Sequence, residues 1–143
     1  MSGPALRQAN AHYAIHESAY GEAEELLALL QRVMERGEWE QAIQVADVLA
    51  EHFEARTLAH ADEEEHGLYQ DIATEHPELS IVITNLTHDH DLMRQLVLEV
   101  RELLQGTGTD IDGLLEQVVH RFVTLMWINH NHSRAEEKMV GSL

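Results

Sequence analysis

The chain contains no cysteine, which excludes disulfides, thiolate metal sites and cysteine nucleophiles. Proline occurs only twice, at Pro4 and Pro77, both where helices are expected to start. Few prolines and few β-branched runs predict an all-α protein. Basic residues are also scarce: 9 Lys and Arg stand against 26 Asp and Glu, for a net charge of −17. That excess of negative charge argues against nucleic acid and anionic membranes as partners. No apolar run is long enough to span a membrane, and the opening MSGPALRQANAH has no apolar stretch of the secretory kind. A soluble, cytoplasmic protein is therefore expected.

What the chain has in excess is histidine, 11 in 143 residues. Hydrophobic residues make up 44%, enough for one domain over residues 1–143 with a real core. Helix breakers are few and regularly placed, at Gly37, Pro77, Gly106 and Gly108. Between them, periodicity predicts helices near 4–36, 38–75, 78–105 and 110–140, with Asp110 as the N-cap of the last. Short connections make neighbours antiparallel, so the expected architecture is an up-down-up-down four-helix bundle.

Projecting each helix at about 100° per residue gives its inward stripe. Helix 1 carries Ala5, Ala9, Ala19, Ala23, Leu26, Leu30 and Met34, with His12 and His16 in the same stripe. On helix 2 the stripe is Ala46, Leu49, Phe53, Thr57, His60 and Glu64, while Asp62, Glu65 and His66 fall away from it. Helix 3 presents Val82, Leu86, Met93, Val97, Val100 and Leu104, with His90 at the stripe's edge and His88 nearly opposite. Helix 4 presents Leu114, Val118, Phe122, Leu125, Asn129, His132, Glu136 and Met139. The segments HADEE and HSRAEE thus place the same His-x3-Glu pair on the apolar faces of two helices. His52, His66, His76, His88, His120 and His130 point outward and read as solvated or interface residues. Tyr13 and Tyr20 read as packing residues, Tyr20 lying close enough to the stripe to reach the site.

Depth agrees with direction. His12 and His16 precede the Gly37 turn by 25 and 21 residues, and His60 and Glu64 follow it by 23 and 27. Glu64 precedes Pro77 by 13 residues and His90 follows it by 13. His132 falls within roughly a turn or two of His90's level at about 1.5 Å per residue. All seven side chains are expected to meet at one end of the bundle.

A lone histidine on an apolar face is ordinarily a satisfied core residue. Two carboxylates buried with five imidazoles are another matter, because their charge needs compensation. No lysine lies in the stripes, and Arg56, Arg94 and Arg121 lie at the edges. The donor set His12, His16, His60, Glu64, His90, His132 and Glu136 is too large for one tetrahedral zinc ion. It suits two octahedral iron ions, with each Glu bridging both and each His terminal on one. With a bridging oxo or hydroxo oxygen, one coordination position stays open for a small ligand.

With a helix-1 His, HADEEEHGLY, THDHDLMRQL and HSRAEEKM in these places, the sequence resembles the hemerythrin-like family, in its HHE cation-binding branch. The resemblance covers essentially the whole chain. It implies a non-haem di-iron centre in a four-helix bundle that binds oxygen, nitric oxide or peroxide, or senses iron and oxygen. Two positions depart from the oxygen-carrying members. Arg94 stands where they have a second helix-3 His. Their helix-4 His-x4-Asp is matched by Glu137, whereas Glu136 is the inward acid. The pattern also requires only one helix-1 histidine, so His12 and His16 are alternatives for that place. An iron-binding, sensing or storage module is the alternative function. A ferritin-like redox enzyme is disfavoured, because the one Glu-x-x-His spacing, Glu63 to His66, faces away from the core.

Helix 4 carries a second apolar stripe of Leu115, Val119, Val123, Met126 and Trp127, and helix 3 adds Ile81, Leu92 and Leu103 on its outer face. A helix apolar on nearly all sides is normally covered on all sides. A homodimer through the outer faces of helices 3 and 4 is expected.

Overall fold

The computed structural model describes residues 9–106, 108 and 110–143. Ala5, placed in the helix-1 stripe, and the first residues of that helix lie outside the described residues, as does Pro4. Among the described residues every regular element is helical, and the chain runs as four rods in an all-helical bundle.

The first rod is α1 (Ala9–Glu35). It ends in a tight reversal in which Gly37 takes φ +69°, a left-handed conformation that glycine adopts without a Cβ clash. Glu38 N–H donates to Val33 at 3.0 Å and Gly37 N–H to Met34 at 3.0 Å, the bond pair of a Schellman cap. Ala9, expected in the inward stripe, is exposed at the start of α1.

The second rod was expected to be one continuous helix over 38–75. It is broken in two places. After α2 (Trp39–His52) the backbone widens into a π-helical segment, Phe53–Leu58, before resuming as α3 (Ala59–His66). At Gly67, with φ −133° and ψ −85°, it breaks again and continues as α4 (Leu68–Glu75). A π-turn bonds i to i+5 and absorbs one extra residue. Residues beyond it are carried round by about one residue's angle, roughly 100°. Ala61 rather than His60 therefore follows Phe53 into the core.

A short 3₁₀ turn at Pro77–Leu79 leads into α5 (Ser80–Leu104). His76, ahead of the proline, is extended at φ −133°, ψ 72°, as the proline ring requires of its predecessor. The fourth rod, α6 (Ile111–Gly141), is capped by Asp110, whose side chain accepts from Gly113 N–H at 3.0 Å.

Two apolar clusters fill the interior. The larger joins all four rods through Leu30, Leu49, Phe53, Val97, Val100, Val118, Phe122 and Leu125. The smaller consists of Leu68, Tyr69, Ile72, Leu86, Met139 and Val140. On the second rod, α5 and α6, a buried polar layer separates the two: His60 and Glu64, then His90, then His132 and Glu136.

Candidate metal centre

The polar layer draws one or two residues from each rod. α1 supplies His12 and His16, α3 supplies His60 and Glu64, α5 supplies His90, and α6 supplies His132 and Glu136. His12, Glu64, His90, His132 and Glu136 are buried, and His16 and His60 keep 11% and 15% of their side chains exposed. His90, expected at a stripe edge, is fully inside.

The seven side chains resolve into two overlapping groups. His12, His16, His60, Glu64 and Glu136 form one; Glu64, His90, His132 and Glu136 form the other; in each, the facing donor atoms lie within 4.8 Å of one another. The two glutamates belong to both groups through different oxygens. Glu64 Oε2 lies 3.1 Å from His12 Nε2 and 3.4 Å from His60 Nε2, while its Oε1 lies 3.4 Å from His90 Nε2. Glu136 Oε1 faces His12 and lies 3.1 Å from His16 Nε2, while its Oε2 lies 3.4 Å from His132 Nε2. The Nε2 atoms of His90 and His132 are 3.0 Å apart.

Electrostatics explain why such a layer needs a cation. Glu64 and Glu136 are 1% and 0% exposed, and among the described residues neither pairs with a lysine or arginine. Burial alone would push Glu136 up, yet its contacts with Glu64, His12, His132 and His16 hold it well below the usual carboxylate range. Two of the imidazoles are drawn toward the charged form by these carboxylates. Burial pushes His132 down, but hydrogen bonds to Asp89 and Glu136 outweigh it and raise the group to about 9. His60 is likewise raised, desolvation being outweighed by Glu64 and Glu136. His60 Nε2 is buried 3.4 Å from Glu64 Oε2, without the geometry of a hydrogen bond. Five ring nitrogens and four carboxylate oxygens make up a donor set suited to metal.

Four further residues complete the layer, and none was identified from the helical stripes. Three are carboxylates on the outer nitrogens. His16 Nδ1 donates to Glu137 at 2.7 Å, His90 Nδ1 to Glu65 at 2.7 Å, and His132 Nδ1 to Asp89 at 3.1 Å. Such partners fix the tautomer and leave Nε2 free to bind a metal. Glu65 does not simply fall away from the site, and Glu137 is not merely outward. Arg94 extends the same chain of bonds, donating to Glu65 at 2.8 Å and Asp62 at 2.7 Å. Arg94 thus holds a histidine's partner in place. The fourth residue is Tyr69, 2% exposed. Its hydroxyl donates to Glu136 Oε2 and its ring stacks on His90 with centroids 5.6 Å apart. Burial and the charges of Glu136 and Glu64 push the phenol up, so it stays protonated.

Of the six histidines read as outward, His66, His88, His120 and His130 are exposed and His76 is half-buried beside Glu78. His52 departs from that reading. It is half-buried, and both ring nitrogens lack a hydrogen bond. Burial pushes its imidazole down, against the pull of Glu22. Glu63 and His66 are both exposed, so the ferritin-like spacing takes no part in the layer. Tyr13, Tyr20 and His130 line a surface groove of about 390 Å³ that reaches His16 and Glu137.

The hemerythrin HHE cation binding domain matches residues 14–143. The chain belongs to that family. Within this hemerythrin HHE chain, His12 lies just ahead of the matched span, and it is the fold that brings it to the others. No curated protein and no solved structure shows significant similarity to the chain. Among the described residues no helix is long and apolar enough to cross a membrane.

Proposed function

We propose that this chain is a hemerythrin-like di-iron protein that binds or senses a small ligand such as oxygen, nitric oxide or peroxide. The observation that carries this reading is the division of both carboxylates between two donor groups. Glu64 and Glu136 each turn one oxygen to His12, His16 and His60, and the other to His90 and His132. One ion would be held by three imidazoles and the other by two, with both glutamates bridging. With a bridging solvent oxygen counted, His12, His16 and His60 with the two glutamates would fill one ion's octahedral positions, and His90 and His132 with the glutamates would leave the other ion one position for a small ligand. When bound, the iron pair supplies that position and exchangeable electrons. The protein's own part is to orient the imidazoles through Glu65, Asp89 and Glu137, to keep the Tyr69 proton at Glu136 Oε2, and to exclude bulk water with the two apolar clusters.

Elemental analysis and the absorption spectrum of aerobically purified protein test the reading. Two irons per chain and near-ultraviolet bands of an oxo-bridged ferric pair are expected. His60→Ala and Glu64→Ala should each lose metal and His66→Ala should not. A colourless, metal-free wild type would reject the proposal.

A further inference from the structure

Beneath the metal layer, on the side of the larger apolar cluster, lies a cavity of about 20 Å³. About 10–15 Å³ of such space accommodates one water, so the cavity suits a water or the free end of a two- or three-atom ligand. Its walls are set by helical spacing. Asn129 lies one turn before His132 on α6, and Met93 one turn after His90 on α5; both line the cavity together with His90, His132 and Ala19. His16, His60 and Glu64 line it as well, so the cavity borders both donor groups, and Asn129 and Met93 stand beside His132 and His90, where the proposed function leaves a coordination position open.

Asn129 is out of place there on structural grounds. It is 8% exposed, and its side chain forms no hydrogen bond with another described residue. It follows Phe122 and Leu125 on the same stripe, where an aliphatic residue would pack at no polar cost. The Asn129 carboxamide keeps some accessible surface and lines the cavity. Arg56, at the rim of the same cavity, is by contrast engaged, donating to Glu22 at 2.6 and 3.0 Å.

We infer that Asn129 is the hydrogen-bonding residue of a small-ligand chamber, its carboxamide N–H donating to the free end of an anionic or dipolar ligand held at the two-imidazole metal. This inference rests on the di-iron reading and adds a specificity-determining residue to it. Ile15, Ala19 and Met93 give the chamber an apolar wall beside the polar Arg56, Thr57 and Ser133.

Azide is a suitable probe, being a linear anion with an acceptor at each end. Asn129→Leu keeps the volume nearly constant and removes the donor; Asn129→Thr keeps a hydroxyl donor. Iron content, azide affinity by optical titration, and the melting temperature of metal-free protein are to be measured for each. The leucine variant should keep both irons, bind azide about tenfold more weakly, as the loss of one hydrogen bond to a charged acceptor requires, and melt no lower than wild type without metal. The threonine variant should fall between. Unchanged azide affinity in the iron-loaded leucine variant would overturn the inference while leaving the di-iron reading intact. So would azide failing to bind iron-loaded wild type, loss of iron in both variants, or a lower melting temperature of the metal-free leucine variant. A wild type that holds no iron would overturn the reading and the inference together.

Discussion

At the scale of single residues, the ligand layer is built as a relay around the bundle. Glu65, beside Glu64 on α3, accepts from His90 on α5. Asp89, beside His90, accepts from His132 on α6. Glu137, beside Glu136, accepts from His16 on α1. Three of the four rods thus orient a histidine of the next with the residue adjacent to their own donor. The donors themselves were legible in the sequence, because polar groups in an apolar stripe are conspicuous on a single helix. Their outer partners were not, because each lies off its own stripe and serves a different helix. An acid directly beside a donor, as in ADEEE, HDH and AEEK, is the signal that was there to be used. Removing such a partner typically weakens metal binding 10–100-fold. Asp89→Asn and Glu65→Gln should therefore each weaken iron binding by about that factor with helical content unchanged, as competition against a chelator of known affinity would show. An affinity equal to wild type in both would mean that the histidines are oriented by packing alone.

At the scale of elements, four rods and their turns followed from where Gly37, Pro77 and the Gly106 region interrupt the periodicity. The two irregularities of the second rod did not, since a projection at 100° per residue assumes one uninterrupted α-helix. Tyr69 shows the consequence. Five residues after Glu64, it would point well away from it on a continuous helix; the break at Gly67 turns it inward onto His90 and Glu136. The π-turn has the opposite placement, upstream of the donors, and sets the angle at which His60 and Glu64 leave the line of Phe53. Deleting Ala55, an exposed residue inside that turn, should remove the residue the π-turn absorbs, restore the α period and leave the downstream donors at the same angle. The expected result is a helical protein by circular dichroism that keeps its iron. Loss of iron from the deletion variant would show that the extra residue does more than widen one turn.

At the scale of the whole molecule, packing trims the outer stripe expected of the last helix. Leu115 and Met126 are buried in the larger cluster, and Val119 is half-buried against it; Val123 and Trp127 remain exposed, Trp127 at 69%. On α5, Ile81, Leu92 and Leu98 are exposed, while Leu103 packs against the core. The homodimer remains a proposal that now rests on this smaller set, with Trp127 as its anchor. Wild type should sediment as a dimer at micromolar concentration and Trp127→Glu as a monomer with its iron retained. A monomeric wild type would reject it.

Metal removal acts on the same scale, because the polar layer lies between the two apolar clusters on three of the four rods. Without a metal, Glu64 and Glu136 must be neutralised by protons on imidazoles that burial itself disfavours. Metal binds the assembled layer and not the unfolded chain, so it stabilises by mass action. At a free metal concentration 100 times the dissociation constant this amounts to about 2.7 kcal/mol. For a domain of this size that corresponds to a rise of roughly 10 °C in melting temperature. Chelation of the loaded protein should reverse the rise in wild type. Glu64→Gln, which leaves the layer one bridging charge short, should show a much smaller difference between loaded and chelated forms. Equal melting temperatures before and after chelation of wild type would mean that the buried carboxylates are balanced by imidazole protons alone and that the layer is no metal site.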